Sequence, residues 1–231
     1  MDAIPLVKSF REVVGCYRAI LFDAYGVLRD FEGVFPEAIG VLAGLQQKNK
    51  RKNKPFWVVT NDASRPHDVL ARAYGGRRGS SSFSLSADQM ISSGDVLREH
   101  LQNNPRPGTI GFLGPIGSAV YFYDVSRPAV QFTKSEPLRR QTLDTITTFV
   151  LMDSSDFSIE DLERATLFLM ERNDVELLLP NTDRTFPKRD GSFGLGAGSY
   201  ARMIEANLSP ERRFVRLGKP NRPIFEYAFE R

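Results

Sequence analysis

The chain has 231 residues and a mass of 26.0 kDa, which suits one large domain or a core domain that carries an insertion. Hydrophobic residues make up 41% of the sequence and charged residues 26%, and these shares exclude a disordered chain, a collagen and a coiled coil. The formal net charge is +3, and five of the 31 basic residues fall in one run between residues 48 and 54. The basic character is therefore local, and we expect no nucleic-acid partner.

One cysteine and two histidines limit the redox and metal chemistry of the chain. Cys16 cannot form an internal disulfide, and with two histidines it cannot complete a structural zinc site of the usual kind. The N-terminal 22 residues are interrupted by charges and lack the apolar stretch of a signal peptide. No segment approaches the roughly 20 apolar residues that span a bilayer. We therefore expect a cytoplasmic protein with no membrane partner.

Short apolar runs alternate with helical patterns along the chain, and each run ends in polar residues or glycine. The predicted buried strands are 18–22, 56–59, 109–113, 148–152, 175–179 and 214–217. A helix is predicted over 36–47, where Pro36 suits the first turn, and another over 158–172, where Ser158 and Asp161 have the spacing of a capping box. This alternation favours an α/β fold with a parallel sheet.

Polar side chains that can handle a phosphate follow three of the predicted strands. Asp23 follows the first strand, Thr60 and Asn61 follow the second, and Lys219 follows the last. Because ligands collect outside the carboxyl ends of the strands, we expect these groups to meet at one edge of the sheet. There the carboxylate can attack phosphorus, the hydroxyl and the ammonium group can hold the phosphate oxygens, and a divalent cation can bridge the two anions.

Three segments, taken in order, resemble the motifs of the haloacid-dehalogenase-like hydrolases. They are LFDAYGVL at 21–28, VVTNDASRP at 58–66 and LGKPNRPIFEYA at 217–228. The long interval between Thr60 and Lys219 is similar to the class IIA branch, in which an α/β cap domain is inserted there. The resemblance covers nearly the whole chain. It implies a Rossmann-like core formed by residues 1–85 and 181–231, with a cap domain at 86–180.

The resemblance also assigns roles to individual residues. Asp23 would be the nucleophile that becomes phosphorylated, Thr60 and Asn61 would bind phosphate, and Lys219 would hold phosphate and take part in catalysis. A Mg²⁺ ion would be coordinated by the carboxylate of Asp23 and the backbone carbonyl of Tyr25. Where the cap returns to the core, three residues are candidates for substrate contact, and a simple interdomain turn is the alternative. They are Asn181, Asp183 and Arg184.

Two departures from the family pattern bear on activity. The family has a second aspartate two residues after the nucleophile, which protonates the leaving oxygen and then activates water, and Tyr25 stands in this catalytic position. A phenol with a pKa of about 10 is a poor general base at neutral pH, and loss of a positioned acid/base costs roughly 10²–10⁴ in rate. The family's acidic fourth motif would lie beyond the last residue. We therefore expect an incomplete version of a longer protein, the alternative being a homologue that does not need strong Mg²⁺ binding.

Two further features are weaker candidates. The segment from Gly196 to Ala201 matches the letters of a dinucleotide-binding fingerprint, but the nearest predicted strand upstream ends at Leu179. A helix N-terminus that packs closely or faces an anion is the favoured interpretation. Asp153 also follows a predicted strand, and we interpret it as a loop acid of the cap, with contact to the substrate as the alternative.

The sequence supports two functional hypotheses. The first is a Mg²⁺-dependent phosphatase-type hydrolase that acts on a small phosphorylated metabolite through an aspartyl phosphate at Asp23, with proton transfer by Tyr25, by solvent or by the substrate. The alternative is a catalytically impaired or truncated homologue that binds a phosphoester or a protein partner without turnover. Because caps of this kind often take part in dimers in the family, a homo-oligomer through the cap is a further expectation.

Overall fold

The computed structural model of the chain describes residues 9–30, 32–52, 55–75, 83–132, 138–188 and 190–231. Within these ranges the α-helices are α1 Phe10–Cys16, α2 Pro36–Lys52, α3 His67–Arg72, α4 Ser93–Asn103, α5 Arg140–Thr145, α6 Ile159–Glu171, α7 Ala197–Glu205 and α8 Arg222–Phe229. The strands are β1 Ile20–Asp23, β2 Phe56–Thr60, β3 Met90–Ser92, β4 Thr109–Leu113, β5 Ala129–Gln131, β6 Ile146–Leu151, β7 Glu176–Leu179, β8 Thr185–Pro187, β9 Phe193–Leu195 and β10 Val215–Arg216. Two 3₁₀ segments are Ala87–Gln89 and Ile116–Val125.

The strands form two parallel sheets and one antiparallel hairpin. The first sheet has the order β1-β2-β3, and the second has the order β10-β7-β6-β4-β5. The strands β8 and β9 make the hairpin. Parallel strands need helical crossovers that cover both faces, so the strands in the middle of each sheet are almost continuously buried. The predicted α/β fold with parallel sheets is confirmed.

The predicted elements agree with the structure wherever the pattern was long enough to read. All six predicted strands are present with ends within two residues of the prediction, and Ser158 and Asp161 form the predicted capping box of α6. The helix α2 continues to Lys52, five residues beyond its predicted end. Strands β3, β5, β8 and β9 were missed because each spans only three residues and shows no periodicity. The side chains of the basic run at 48–54 lie outside the described part of the chain.

Strand pairing divides the two sheets at different residues from the predicted domain boundaries. The predicted cap of 86–180 includes β3, yet β3 pairs with β2 of the first sheet. The predicted second part of the core, 181–231, includes β10, yet β10 pairs with β7 of the second sheet. A local apolar run does not reveal its pairing partner, because pairing is a long-range contact. The division at residues 86 and 180 stays a prediction about domains.

One hydrophobic cluster joins the two sheets. It contains Val59 and Ile91 of the first sheet, Ile110 and Val150 of the second, and Ile224 of α8, and each of these side chains is almost fully buried. Burial on this scale stabilises by about 25 cal/mol per Å² of apolar surface. Side chains of both sheets and of α8 therefore share one hydrophobic core. No helix among the described residues is long and apolar enough to cross a membrane.

Gly94 in α4 tests this packing. A Cβ at Gly94 would lie 2.2 Å from the ring of Tyr121, which is 0% exposed. The hydroxyl of Tyr121 donates to the carbonyl of Arg65 at 2.6 Å and also forms a hydrogen bond with the hydroxyl of Ser92 at 2.8 Å. We expect Gly94→Ala to lower the free energy of unfolding by about 1–3 kcal/mol, because overpacking strains the core. Chemical denaturation measures this change.

The matched control is Gly40→Ala in α2, where nothing lies within 4 Å of the added Cβ. Alanine is a better helix former than glycine, so this control should equal or exceed the wild type in stability. A Gly94→Ala variant as stable as the control would contradict the packing described here.

Candidate functional site

A cleft of about 590 Å³ lies where the carboxyl ends of strands from both sheets come together. Most of the residues that line it lie at or after the carboxyl ends of β1, β2, β6, β7 and β10, and the others belong to β8 or follow β9. Asp23 and Thr60, which end β1 and β2, and Lys219, which follows β10, all line this cleft. The structure therefore brings together the acid, the hydroxyl and the amine that the sequence placed at strand ends.

The prediction that these groups meet at the edge of a single sheet is wrong. Asp23 and Thr60 belong to the three-stranded sheet, whereas Lys219 follows a strand of the five-stranded sheet. The site lies between the two sheets. Each sheet contributes the carboxyl ends of its strands, which is why the rule about strand ends located the residues although it misassigned the sheet.

Asp23 and Lys219 are in direct contact. The ammonium group of Lys219 donates to Oδ1 of Asp23 and, at 2.9 Å, to the carbonyl of Val59. The backbone N–H of Ala24 also donates to Oδ1 of Asp23, at 2.7 Å. The hydrogen bonds from Lys219 and from Ala24 both end on Oδ1 of Asp23. Oδ2 of Asp23 therefore has no hydrogen-bond partner among the described residues. The carboxylate is 51% exposed, so it is open to a ligand from the cleft.

The buried side chain of Asn61 supports the contact between Asp23 and Lys219, and we call this side chain the strut. Its Oδ1 accepts from the backbone N–H of Lys219 at 2.7 Å, and its Nδ2 donates to the carbonyl of Lys219 at 3.0 Å and to Oδ1 of Asp183 at 2.8 Å. Both ends of the amide are occupied. The side chain of Asn61 therefore positions Lys219 and Asp183, and the predicted direct contact with phosphate stays a prediction.

Thr60 lines the cleft, and Gly218 packs behind it next to Lys219. Thr60 is only 4% exposed, and its Oγ1 accepts from the backbone N–H of Asp62 at 3.1 Å, so the hydroxyl proton remains available to a ligand. A Cβ at Gly218 would lie 2.3 Å from the carbonyl oxygen of Pro180 and 2.5 Å from Oδ1 of Asn61. Glycine at this position allows the segment that carries Lys219 to approach the strut.

The loop after β7 supplies two of the three predicted substrate-contact residues to the cleft. Asn181 is buried, donates to Oδ2 of Asp153 at 3.1 Å and accepts from the backbone N–H of Asp183 at 3.1 Å. Asn181 and Asp183 both line the cleft. Arg184 is exposed and is absent from the described residues that line it, while its carbonyl accepts from Gly196 at 2.7 Å. Substrate contact by these residues stays a prediction.

The glycines that resemble a dinucleotide fingerprint have a packing role. A Cβ at Gly196 would lie 2.1 Å from the carbonyl oxygen of Asp183, and a Cβ at Gly198 would lie 2.3 Å from that of Thr182. The N–H of Gly198 donates to the carbonyl of Asp183 at 2.9 Å. The start of α7 thus packs directly on the loop after β7, which explains both glycines.

Tyr25 gives up its proton less readily than its sequence position alone indicates. Burial raises the pKa of the phenol above its ordinary value, although the guanidinium of Arg29, 4.9 Å from the ring centre, acts in the opposite direction. The phenol therefore stays protonated at neutral pH. It occupies the predicted position but does not behave as a carboxylate would there.

Asp153 is a cleft residue whose importance the sequence interpretation missed. It follows β6, lines the cleft and is largely enclosed. Burial, and then the nearby carboxylate of Asp62, raise the pKa of Asp153 to about 6. An acid directly after a buried strand was the available signal, and it is the same signal that identified Asp23.

The residues of the cleft can hold Mg²⁺ only if water and phosphate oxygens supply the remaining ligands. The described residues contain no group of three or more His, Cys, Asp or Glu side chains that could hold a metal ion. The carboxylate of Asp23 and the backbone carbonyl of Tyr25 offer two oxygen donors at the start of the cleft. Mg²⁺ usually binds through one or two carboxylates and keeps several waters and substrate phosphate oxygens. The residues present are consistent with that mode of binding.

The strut can be tested with Asn61→Asp. This change keeps the shape but replaces an N–H donor with an anionic oxygen that faces the carbonyl of Lys219 and the carboxylate of Asp183. We expect the free energy of unfolding to fall by about 1–3 kcal/mol, measured by chemical denaturation, because buried polar groups lose their partners.

Asn103→Asp is the matched control, since Asn103 is exposed at the end of α4. This substitution should change stability by no more than about 0.5 kcal/mol. Equal stability of the two variants would show that Asn61 is not a strut.

Comparison with known proteins finds similarity to hydrolases. The family model described as "Haloacid dehalogenase-like hydrolase" matches residues 20–125, a range that contains Asp23 and Thr60 but ends before Lys219. Human chronophin is 27% identical, and the match covers 96% of this chain and 72% of chronophin. Bovine chronophin is 29% identical with the same coverage.

A solved structure is similar over nearly the whole chain. It is a protein from Cytophaga hutchinsonii described as a possible sugar phosphatase of the HAD superfamily, with a TM-score of 0.82 and 29% sequence identity. The match covers 97% of this chain and 75% of that protein. Both the sequence relatives and the structural relative therefore extend across the two sheets that form the cleft.

Proposed function

We propose that the chain is a phosphatase-type hydrolase of a small phosphorylated metabolite, because it is similar to haloacid-dehalogenase-like hydrolases and its motifs resemble those of the class IIA branch. One observation carries the proposal. Asp23, Thr60 and Lys219 lie far apart in the sequence, yet they line one cleft, and Lys219 contacts Asp23. The similarity to a possible sugar phosphatase is consistent with a small organic phosphate as substrate.

In the proposed reaction the carboxylate of Asp23 attacks the phosphorus atom. Its Oδ2 is the oxygen that is open to the ligand, while Lys219 holds Oδ1 and contributes positive charge beside the incoming phosphate. The hydroxyl of Thr60 donates to a phosphate oxygen. The result is an aspartyl phosphate, which water then hydrolyses, so that one difficult displacement is divided into two easier ones.

Mg²⁺ would be held by the carboxylate of Asp23 and the carbonyl of Tyr25, with phosphate oxygens and water as the remaining ligands. When bound, it supplies the positive charge that allows two anions to approach each other. The volume of the cleft, about 590 Å³, lies within the range of small-molecule sites. Asp62, Asp153 and Asp183 also line this cleft.

The alternative function is binding of a phosphoester without turnover. Tyr25 favours it, because a protonated phenol stands where the family uses an acid/base aspartate. The two functions differ in whether an Asp23-dependent reaction occurs.

The enzyme hypothesis predicts Mg²⁺-dependent hydrolysis of p-nitrophenyl phosphate by the wild-type chain. Asp23→Asn should reduce the release of p-nitrophenol to the background rate, because an amide cannot act as the nucleophile. Asp88→Asn, an exposed aspartate in a 3₁₀ segment, is the control and should leave the rate unchanged. If the wild type shows no Asp23-dependent turnover and Tyr25→Asp restores it, the binding function is correct.

The shared metal site predicts coupling between Mg²⁺ and phosphate. We expect the affinity for Mg²⁺, measured by isothermal titration calorimetry, to rise about 5–150-fold when inorganic phosphate is saturating, because phosphate oxygens complete the coordination shell. Asp23→Asn should weaken Mg²⁺ binding in both conditions. Tight binding of Mg²⁺ that does not depend on phosphate would mean that further protein ligands exist.

A further inference from the structure

Hydrolysis of a phosphate ester needs a group that transfers protons. When the bond between phosphorus and the leaving oxygen breaks, that oxygen must gain a proton, and the attacking water must later lose one. Lys219 is committed to Asp23 and to the carbonyl of Val59. Tyr25 holds its proton too tightly, since burial raises the pKa of its phenol. A carboxyl group elsewhere in the cleft is therefore the natural candidate.

Two other cleft carboxylates are held by neighbouring groups. Oδ1 of Asp62 accepts from the backbone N–H of Ser64 at 2.9 Å and from its hydroxyl at 2.6 Å, and a guanidinium nitrogen of Arg65 lies 3.9 Å from Oδ2. Oδ1 of Asp183 accepts from Asn61 at 2.8 Å. Burial raises the pKa of Asp183, while the hydrogen bond from Asn61 and the charge of Lys219 act in the opposite direction, so Asp183 is the carboxyl group that the test must separate from Asp153.

Asp153 has a different environment. Its oxygens accept from the backbone N–H of Ser154 at 2.6 Å and from the amide of Asn181 at 3.1 Å, and no cation pairs with it among the described residues. Burial and the negative charge of Asp62 raise its pKa to about 6, so the group can both hold and release a proton near neutral pH. Asp153 lines the same cleft as Asp23 and Tyr25.

We propose that Asp153 is the catalytic residue that transfers protons in this cleft, an inference that rests on the proposed function. In the first step Asp23 bonds to phosphorus, the bond from phosphorus to the leaving oxygen breaks, and that oxygen takes the proton of the Asp153 carboxyl group. In the second step water bonds to phosphorus, the bond from phosphorus to Asp23 breaks, and the proton of water passes to the Asp153 carboxylate. The substrate and one water thus become an alcohol and inorganic phosphate, and both aspartates return to their initial states.

The test compares two aryl phosphates of similar shape in the presence of Mg²⁺. Phenoxide is a poor leaving group that needs a proton, whereas p-nitrophenoxide leaves readily without one. We expect Asp153→Asn to lower kcat/KM for phenyl phosphate by roughly 10²–10⁴, and to lower the rate of p-nitrophenol release in the first turnover by less than about tenfold. A burst of p-nitrophenol followed by slow turnover should appear, because hydrolysis of the aspartyl phosphate lacks its base.

Matched variants separate this role from a structural one. Asp153→Glu retains a carboxyl group and should keep the wild-type ratio between the two substrates even if its overall rate falls. Asp156→Asn changes an exposed aspartate of the same loop, at a positive φ that asparagine tolerates, and should match the wild type. Asp183→Asn should change kcat/KM by the same factor for both substrates.

The outcomes distinguish the two proposals. Absence of Asp23-dependent turnover in the wild type overturns the proposed function and this inference with it. Suppose that turnover depends on Asp23, but Asp153→Asn lowers kcat/KM by the same factor for both substrates and gives no burst. The proposed function then stands, and the proposed role of Asp153 is wrong. The same conclusion follows if the dependence on the leaving group appears in Asp183→Asn instead.

Discussion

The contact between the ammonium group of Lys219 and the carboxylate of Asp23 is the constraint on which the site depends. These residues are 196 positions apart and belong to loops of different sheets. The contact itself is weak, because Asp23 is half exposed and such ion pairs are worth about 0–1 kcal/mol. The energy that holds the two loops together must come from elsewhere. It comes from the hydrophobic cluster between the sheets and from the buried amide of Asn61.

In this arrangement the residues that stabilise the fold differ from the residue that is open to a ligand. The cluster is built from side chains that are nearly inaccessible, so it fixes the relative position of the strands without involving the cleft. Asn61 then fixes the position of Lys219, because the oxygen and the nitrogen of its side-chain amide both form hydrogen bonds with the backbone of Lys219. Asp23 contributes little to folding and remains open to a ligand.

The sequence was informative where a physical rule acts locally. Buried runs of four or more residues predicted the strands, and polar residues at strand ends predicted Asp23, Thr60 and Lys219. It was uninformative where the outcome depends on long-range contacts. The short strand β10 reads like any other apolar run, and only pairing with β7 shows that Lys219 enters the cleft from the second sheet. The environment of Asp153 was equally hidden, because burial beside Asp62 arises from folding and not from local sequence.

The charges of the cleft bring these observations together. Asp23, Asp62, Asp153 and Asp183 line it, opposed by Lys219 and Arg65, so a phosphate dianion would meet an excess of negative charge. Repulsion at such distances costs more in a partly enclosed cleft than in water. In the proposed function two features would reduce this repulsion: a proton on Asp153, whose pKa is raised by burial and by Asp62, and a divalent cation beside Asp23. The cleft would then bind phosphate best in the state that is also prepared to protonate the leaving oxygen.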